Sequence, residues 1–316
     1  MIKIFKTDDV TGMLTETGKY EKGCWINLVS PTEREIKEVC QATGAEYNLI
    51  KYPLDLAEKA HIDTEDDQTL IVVDIPCIEK DRGDNVYTTV PLGMVIVRDD
   101  FFITISIANV PFLNRFYKDN RNKTNIQTYK KSRFVFQILY KVAQEYLKDL
   151  ELINKDIENF EDIMARSTKN ENLLKLLNFE KSMIYFNTSL KSNQLVLKRL
   201  DRGKIIKLYE EDEDILEDTI IENSQAMEMV QIYSEILNGM VDVFGTIVSN
   251  KLDSVMKLLA SVTIIISIPT MISSFMGMNV KFPFPIDNPM TFHIIMILAV
   301  VSTIIITLVF KKKDML

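Results

Sequence analysis

The chain has 316 residues, 26% of them charged, with a formal net charge of −8. This acidic balance, with no clustered basic face, argues against nucleic acid as a partner, because binding phosphates needs a basic patch; the length suggests about two folding units. Charge is also unevenly spread, since residues 258 to 310 carry only Lys281 and Asp287.

Met1-Ile2-Lys3-Ile4-Phe5-Lys6 lacks the long apolar core of a cleaved signal peptide, so the amino terminus is expected to stay where it is made. Cys24 to Val29 reads as a strand. Ser30 as N-cap, Pro31 at the first helical position and Glu33 then open a helix that Gly44 closes. Leu70 to Ile75 is a buried-strand run, followed by Val86 to Val90 and Met94 to Val97. Asp99-Asp100 turns the chain into Phe101 to Ile107, so this end reads as an antiparallel meander. Residues 1–125 are therefore assigned to an α/β cytosolic domain. Cys24, Cys40 and Cys77 are widely spaced and form no C-x-x-C pair, which fits reduced thiols better than a disulfide or zinc framework.

From Ile126 to Pro269 there is no proline and almost no strand signal. Three long helices are predicted: Ile126 to Arg166, Glu171 to Leu200, and Glu213 onward, with polar breaks at Ser167 to Asn170 and at Asp201-Arg202-Gly203. The first two make a cytosolic helical segment over 126–211, and the third a stalk helix over 212–257. In that stalk Ala226, Met229, Tyr233, Ile236, Met240, Val243 and Ile247 recur at steps of three and four, a seam that wants a partner helix.

Leu258 to Val280 and Asn288 to Phe310 are each long and apolar enough to cross a hydrocarbon core of about 30 Å. The expected organisation is a first transmembrane helix over 258–276, a loop over 277–290, a second helix over 291–310 and a basic tail over 311–316. Lys251 and Lys257 precede the hairpin and Lys311, Lys312 and Lys313 follow it. Under the positive-inside rule both termini face the cytoplasm, with the protein a multi-pass component of the cell's inner or plasma membrane. Within the first span Thr263, Ser267, Thr270 and Ser274 place four hydroxyls on one helix face. Extended backwards, the stripe takes in Ala260, Met256, Asp253, Ser249 and Asp242, and Met256 with Leu259 could form an apolar constriction that gates by dewetting. Such a face suits a water-filled axis enclosed by several copies; the alternative is that the hydroxyls bond their own backbone or pack against a neighbouring helix.

Gly277-Met278-Asn279 at the end of the first span, with the short loop, second helix and Lys-rich tail, resembles the CorA family of divalent-cation transporters. Asn223 to Met229 and Ile232 to Asn250 are similar to that family's stalk helix, and Trp25-Ile26-Asn27-Leu28 with Pro31, and Thr89-Val90-Pro91-Leu92-Gly93, to its cytosolic domain. The resemblance implies a CorA-like funnel, an α+β fold with a membrane hairpin, in a homopentamer that passes Mg²⁺ and also Co²⁺. It makes Gly277, Met278 and Asn279 a selectivity filter in which ringed Asn279 carboxamides hold a hydrated ion; Mg²⁺ sheds water reluctantly and is easily bound through its waters. It further implies regulatory Mg²⁺ on cytosolic carboxylates, here Asp218, Asp242, Asp66 and Asp67. The chain departs from the family pattern at Met276, where tyrosine is frequent, at Asp253, where asparagine is frequent, and in the loop Lys281 to Asp287.

An enzyme is not expected: there is no P-loop, G-x-G-x-x-G, H-E-x-x-H or plausible nucleophile with its base. Two alternatives stand. One is transport of another divalent metal, Zn²⁺, Ni²⁺ or Co²⁺, with or without proton coupling; the other is a membrane-anchored sensor or scaffold without transport.

Overall fold

The structure, a computed structural model, describes the chain except residues 9–11, 82–83, 120–126, 167–169, 204, 279, 281–288, 314 and 316. It divides into two compact units, Met1–Met240 and Val241–Leu316.

The first unit is built on one seven-stranded sheet. Its strands are β1 (Ile2–Thr7), β2 (Leu14–Thr17), β3 (Trp25–Val29), β4 (His61–Glu65), β5 (Gln68–Asp81), β6 (Asp84–Val97) and β7 (Phe101–Ser106). They lie in the order β2-β1-β3-β7-β6-β5-β4. Only β3 and β7 pair in parallel, and β4 to β7 form the expected antiparallel meander. Alternate strand residues reach both faces. Ile26, Leu28, Val72, Val95 and Ile103 pack with Ile36 and Val39 of α1 (Glu33–Thr43) and Leu49 of α2 (Tyr47–Lys51). On the other face Trp25 meets Phe134 of α4 (Lys131–Arg166) edge-on at 5.0 Å. The buried Trp25 indole is satisfied: Nε1 donates to Thr104 Oγ1 at 2.8 Å, and that hydroxyl donates to Asn27 Oδ1 at 2.9 Å.

Two local expectations change. Helix α1 is capped by Thr32 rather than Ser30: Thr32 Oγ1 accepts from Glu35 N–H while the Glu35 carboxylate accepts from Thr32 N–H, a reciprocal capping box. Ser30 remains tied to the sheet, its N–H donating to the Ser106 carbonyl at 2.8 Å. The two short strands expected around Pro91-Leu92-Gly93 are a single strand, β6, paired with β5 from Gln68↔Val97 to Asp81↔Asp84. Pro91 is tolerated there because β7 pairs with β6 only from Leu92 onward, so the N–H it lacks breaks no ladder bond on that side.

After α3 (Pro111–Asp119) and α4, α5 runs Asn170–Asp201 and α6 runs Glu210–Met276, 67 residues without interruption. The break after α5 falls at Asp201-Arg202-Gly203 as expected, with Gly203 at φ +65°. The break expected at Ser167 to Asn170 lies outside the described residues except for Asn170, which begins α5. The stalk seam is covered only in part: Ala226 and Met240 are buried while Ile236 and Val243 stay exposed, and burial beside Glu151 and Glu158 of α4 pushes the Tyr233 phenol up. All three cysteines are free; Cys24 is buried, Cys40 and Cys77 half-buried.

Candidate functional site

The second unit holds the end of α6 and the 24-residue α7 (Pro289–Lys312). Both contain windows apolar enough to cross a bilayer, and almost none of that surface is buried within the chain. Ile, Val, Leu and Met side chains left outside in this density need an apolar solvent. Ser261 Oγ donates to the Met315 carbonyl at 2.9 Å. That bond sets the chain's end beside the start of the first span and gathers Lys251, Lys257 and Lys311 to Lys313 at one end of the hairpin.

The two faces of α6 differ. Ser261, Ile265, Ile268, Pro269, Ile272 and Met276 are its less exposed positions, and they fall on one side of the helix, the side from which Ser261 reaches Met315 beyond α7. Thr263, Ser267, Thr270 and Ser274 are all exposed. At 3.6 residues per turn this hydroxyl stripe falls on roughly the opposite side from those less exposed positions. Thr263 donates to the Leu259 carbonyl at 2.8 Å, Ser267 to Thr263 at 2.7 Å and Thr270 to Ile266 at 2.9 Å. These are the i−4 backbone bonds weighed above as an alternative to a pore. They leave the face chemically suited to cations, because a hydroxyl that gives its proton to the backbone still offers oxygen lone pairs outward. Pro269 sits inside the same helix, where it cannot donate to the Ile265 carbonyl.

A groove of about 430 Å³ follows the stripe, lined by Ile266, Ser267, Thr270, Met271, Ser274, Phe275 and Met278. Sequence reasoning missed Met271 and Phe275; they flank the hydroxyls on the same face and carry no polar signal to mark them. Ser249, Asp253, Met256, Leu259 and Ala260 continue the stripe toward the start of the span and are likewise exposed. Gly277 N–H closes the helix on the Ser273 and Ser274 carbonyls at 3.1 and 3.2 Å. Among the described residues a Cβ on Gly277 would meet those two oxygens, at 3.7 and 3.6 Å, which is ordinary contact. Met278 is half exposed. Asn279 and the loop Lys281 to Asp287 lie outside the described residues.

The carboxylates named for regulatory metal are dispersed. Asp66 and Asp67 form the exposed β4–β5 turn at φ +43° and +62°, while Asp218 and Asp242 are exposed on α6. Among the described residues no three His, Cys, Asp or Glu side chains converge to hold a metal.

A family model described as CorA-like Mg²⁺ transporter protein matches residues 20–312. The chain belongs to the CorA family. Membership places it among membrane transport proteins rather than enzymes. It is 27% identical over 298 residues to the cobalt/magnesium transport protein CorA of Methanocaldococcus jannaschii, covering 92% of this chain and 90% of that one. It is 22% identical over 301 residues to the magnesium transport protein CorA of Helicobacter pylori, at the same coverages of 92% and 90%. The complete structure of the M. jannaschii CorA magnesium transporter superposes with a TM-score of 0.84 at 24% identity, over 98% of this chain and 97% of that one. The α/β domain, long helix and apolar C-terminal hairpin thus form the CorA fold.

Proposed function

We propose that this CorA-family chain forms a homo-oligomeric channel, a pentamer by resemblance, that admits Mg²⁺ and also Co²⁺ down the membrane potential, with both termini cytoplasmic. First spans surround the axis and second spans face lipid. The hydroxyl stripe Thr263, Ser267, Thr270 and Ser274 lines the path, Met256 and Leu259 narrow it, and Asp253 and Asp242 concentrate cations at its inner end. A ring of Asn279 carboxamides at the outer mouth, set by Gly277 and Met278, holds the hydrated ion through its waters. Bound Mg²⁺ bridging Asp66, Asp67, Asp218 or Asp242 between copies regulates opening.

One observation carries this reading: the hydroxyl stripe lies opposite the less exposed face of α6, the one that carries Ser261 and its bond to Met315. Turned to lipid, four hydroxyls would contribute little; turned to an axis shared by several copies, they replace part of an ion's surroundings. Gly277, where a side chain would meet only ordinary contacts among the described residues, fits close approach of neighbouring copies at the mouth.

The test is flux of Mg²⁺, Co²⁺ and Zn²⁺ into vesicles holding the purified protein, with and without Asn279→Ala. The reading expects Mg²⁺ and Co²⁺ entry in the parent and loss of discrimination or of flux in the variant. Equal flux in both overturns the filter assignment, entry of Zn²⁺ alone favours the other-metal reading, and no flux of any ion favours the anchored sensor.

A further inference from the structure

Two exposed helix faces of the first unit share one spacing and carry opposite charge. On α5 the outward residues Leu177, Lys181, Ile184, Thr188, Lys191 and Leu195 recur at alternating steps of four and three, and all are exposed. On α6 Asp218, Ile221, Gln225, Glu228, Ile232 and Glu235 recur at steps of three and four, and all are exposed too. The apolar members stand out in water: Ile184 is 58% exposed, Leu195 66%, Ile221 55% and Ile232 54%. This is the pattern of a coiled-coil seam, present twice without a partner among the described residues. The charges complement: the α5 stripe is basic, while α6 from Glu210 to Asn250 has eleven acidic residues and not one Lys or Arg.

The two stripes cannot meet within one chain, because the helices already touch by their other faces. Asn223 Nδ2 donates to Gln194 Oε1 at 2.7 Å and to the Leu190 carbonyl at 3.2 Å, and Gln194 Nε2 to Ser224 Oγ at 3.4 Å. Those bonds also fix which residues of the antiparallel pair are level, with Gln194 beside Asn223 and Ser224.

We propose that the α5 stripe of one copy docks on the α6 stripe of the next, a head-to-tail contact that repeats around a closed ring. This rests on the homo-oligomer in the reading above and names its contact. A ring whose axis runs along these helices rotates copies without sliding them, so the level set inside one chain also holds between chains. It brings Ile184 opposite Ile232 and Leu195 opposite Ile221, with Lys181 opposite Glu235. Apolar pairs fill the seam and the Lys181–Glu235 pair joins unlike charges, so the order of copies has one sense.

The experiment uses the full-length protein in detergent with Ile184→Cys and Ile232→Cys combined, oxidised and run on a non-reducing gel. The expected result is a ladder of covalent multimers forming at least about tenfold faster than any product of either single variant or of the parent, which controls for the three native cysteines. Lys181→Glu is expected to cut the ladder several-fold and Glu235→Lys in the same chain to restore it. No ladder from a protein that light scattering finds oligomeric overturns the docking contact and leaves the channel reading standing. A monomer by light scattering, with no ion flux, overturns both.

Discussion

The carboxamide of Asn193 on α5 brackets the backbone of Asp74 on β5: its oxygen accepts from the Asp74 N–H at 2.9 Å and its nitrogen donates to the Asp74 carbonyl at 2.7 Å. Strand β4 pairs with β5 only as far as Val72, so beyond that point the side chain stands in for a missing strand. Tyr146 on α4 adds its hydroxyl to the same carbonyl at 3.0 Å. Asn193→Ala leaves the Asp74 N–H buried and unpaired, which costs about 2 kcal/mol. The expected outcome is a lower denaturant midpoint for the purified chain, with ion selectivity of the folded protein unchanged.

Stability should fall as pH rises through the acid range. Burial pushes the Asp149 carboxyl from its ordinary 3.8 up to about 6; nearby Glu145 pushes the same way, against Lys148 and Arg115. Burial likewise raises Asp74 to about 6, against its bond with Ser189. A carboxyl raised on folding holds its proton more tightly in the folded state than in the unfolded one. Its favourable contribution is complete below about pH 4 and is lost as pH climbs through about 6, at roughly 3 kcal/mol for each group. Asp149→Asn should therefore melt higher than the parent at pH 8 and level with it near pH 4. Melting curves across that range check the sign; a variant less stable at pH 8 contradicts it.

Gly93 is explained by its neighbour Pro53. A Cβ on Gly93 would overlap the proline ring, whose Cβ lies at 2.7 Å from that position. Gly93→Ala is expected to destabilise by about 1–3 kcal/mol through overpacking. Adding Pro53→Ala should recover part of the loss, a coupling that a double-mutant cycle measures directly.

What the sequence made legible was what repeats locally. The hydroxyl spacing, the polar break at Asp201-Arg202-Gly203 and the apolar hairpin each follow from residues within a few turns of one another; the structure ends α5 at Asp201 and carries two apolar helices in its second unit. What it hid depends on distant partners. The cap moved to Thr32 because Ser106 holds Ser30, and β6 runs through Pro91 because β7 stops short of it. The stalk seam is answered within the chain at Ala226 and Met240 but not at Ile236 or Val243, which stay exposed. The less exposed residues Ile265, Ile268 and Ile272 carry a periodic signal, but in a helix apolar nearly all round it could not be told from lipid-facing surface.

The central claim is that one face of α6 borders water through the membrane. The most direct measurement is the reaction of a membrane-impermeant, positively charged thiol reagent with Thr270→Cys, compared with Ile305→Cys on α7, in vesicles carrying out Mg²⁺ flux. The account expects Thr270→Cys to react and its flux to be blocked, while Ile305→Cys stays unmodified with flux intact. Modification of Ile305→Cys with Thr270→Cys untouched would mean that the hydroxyls face lipid.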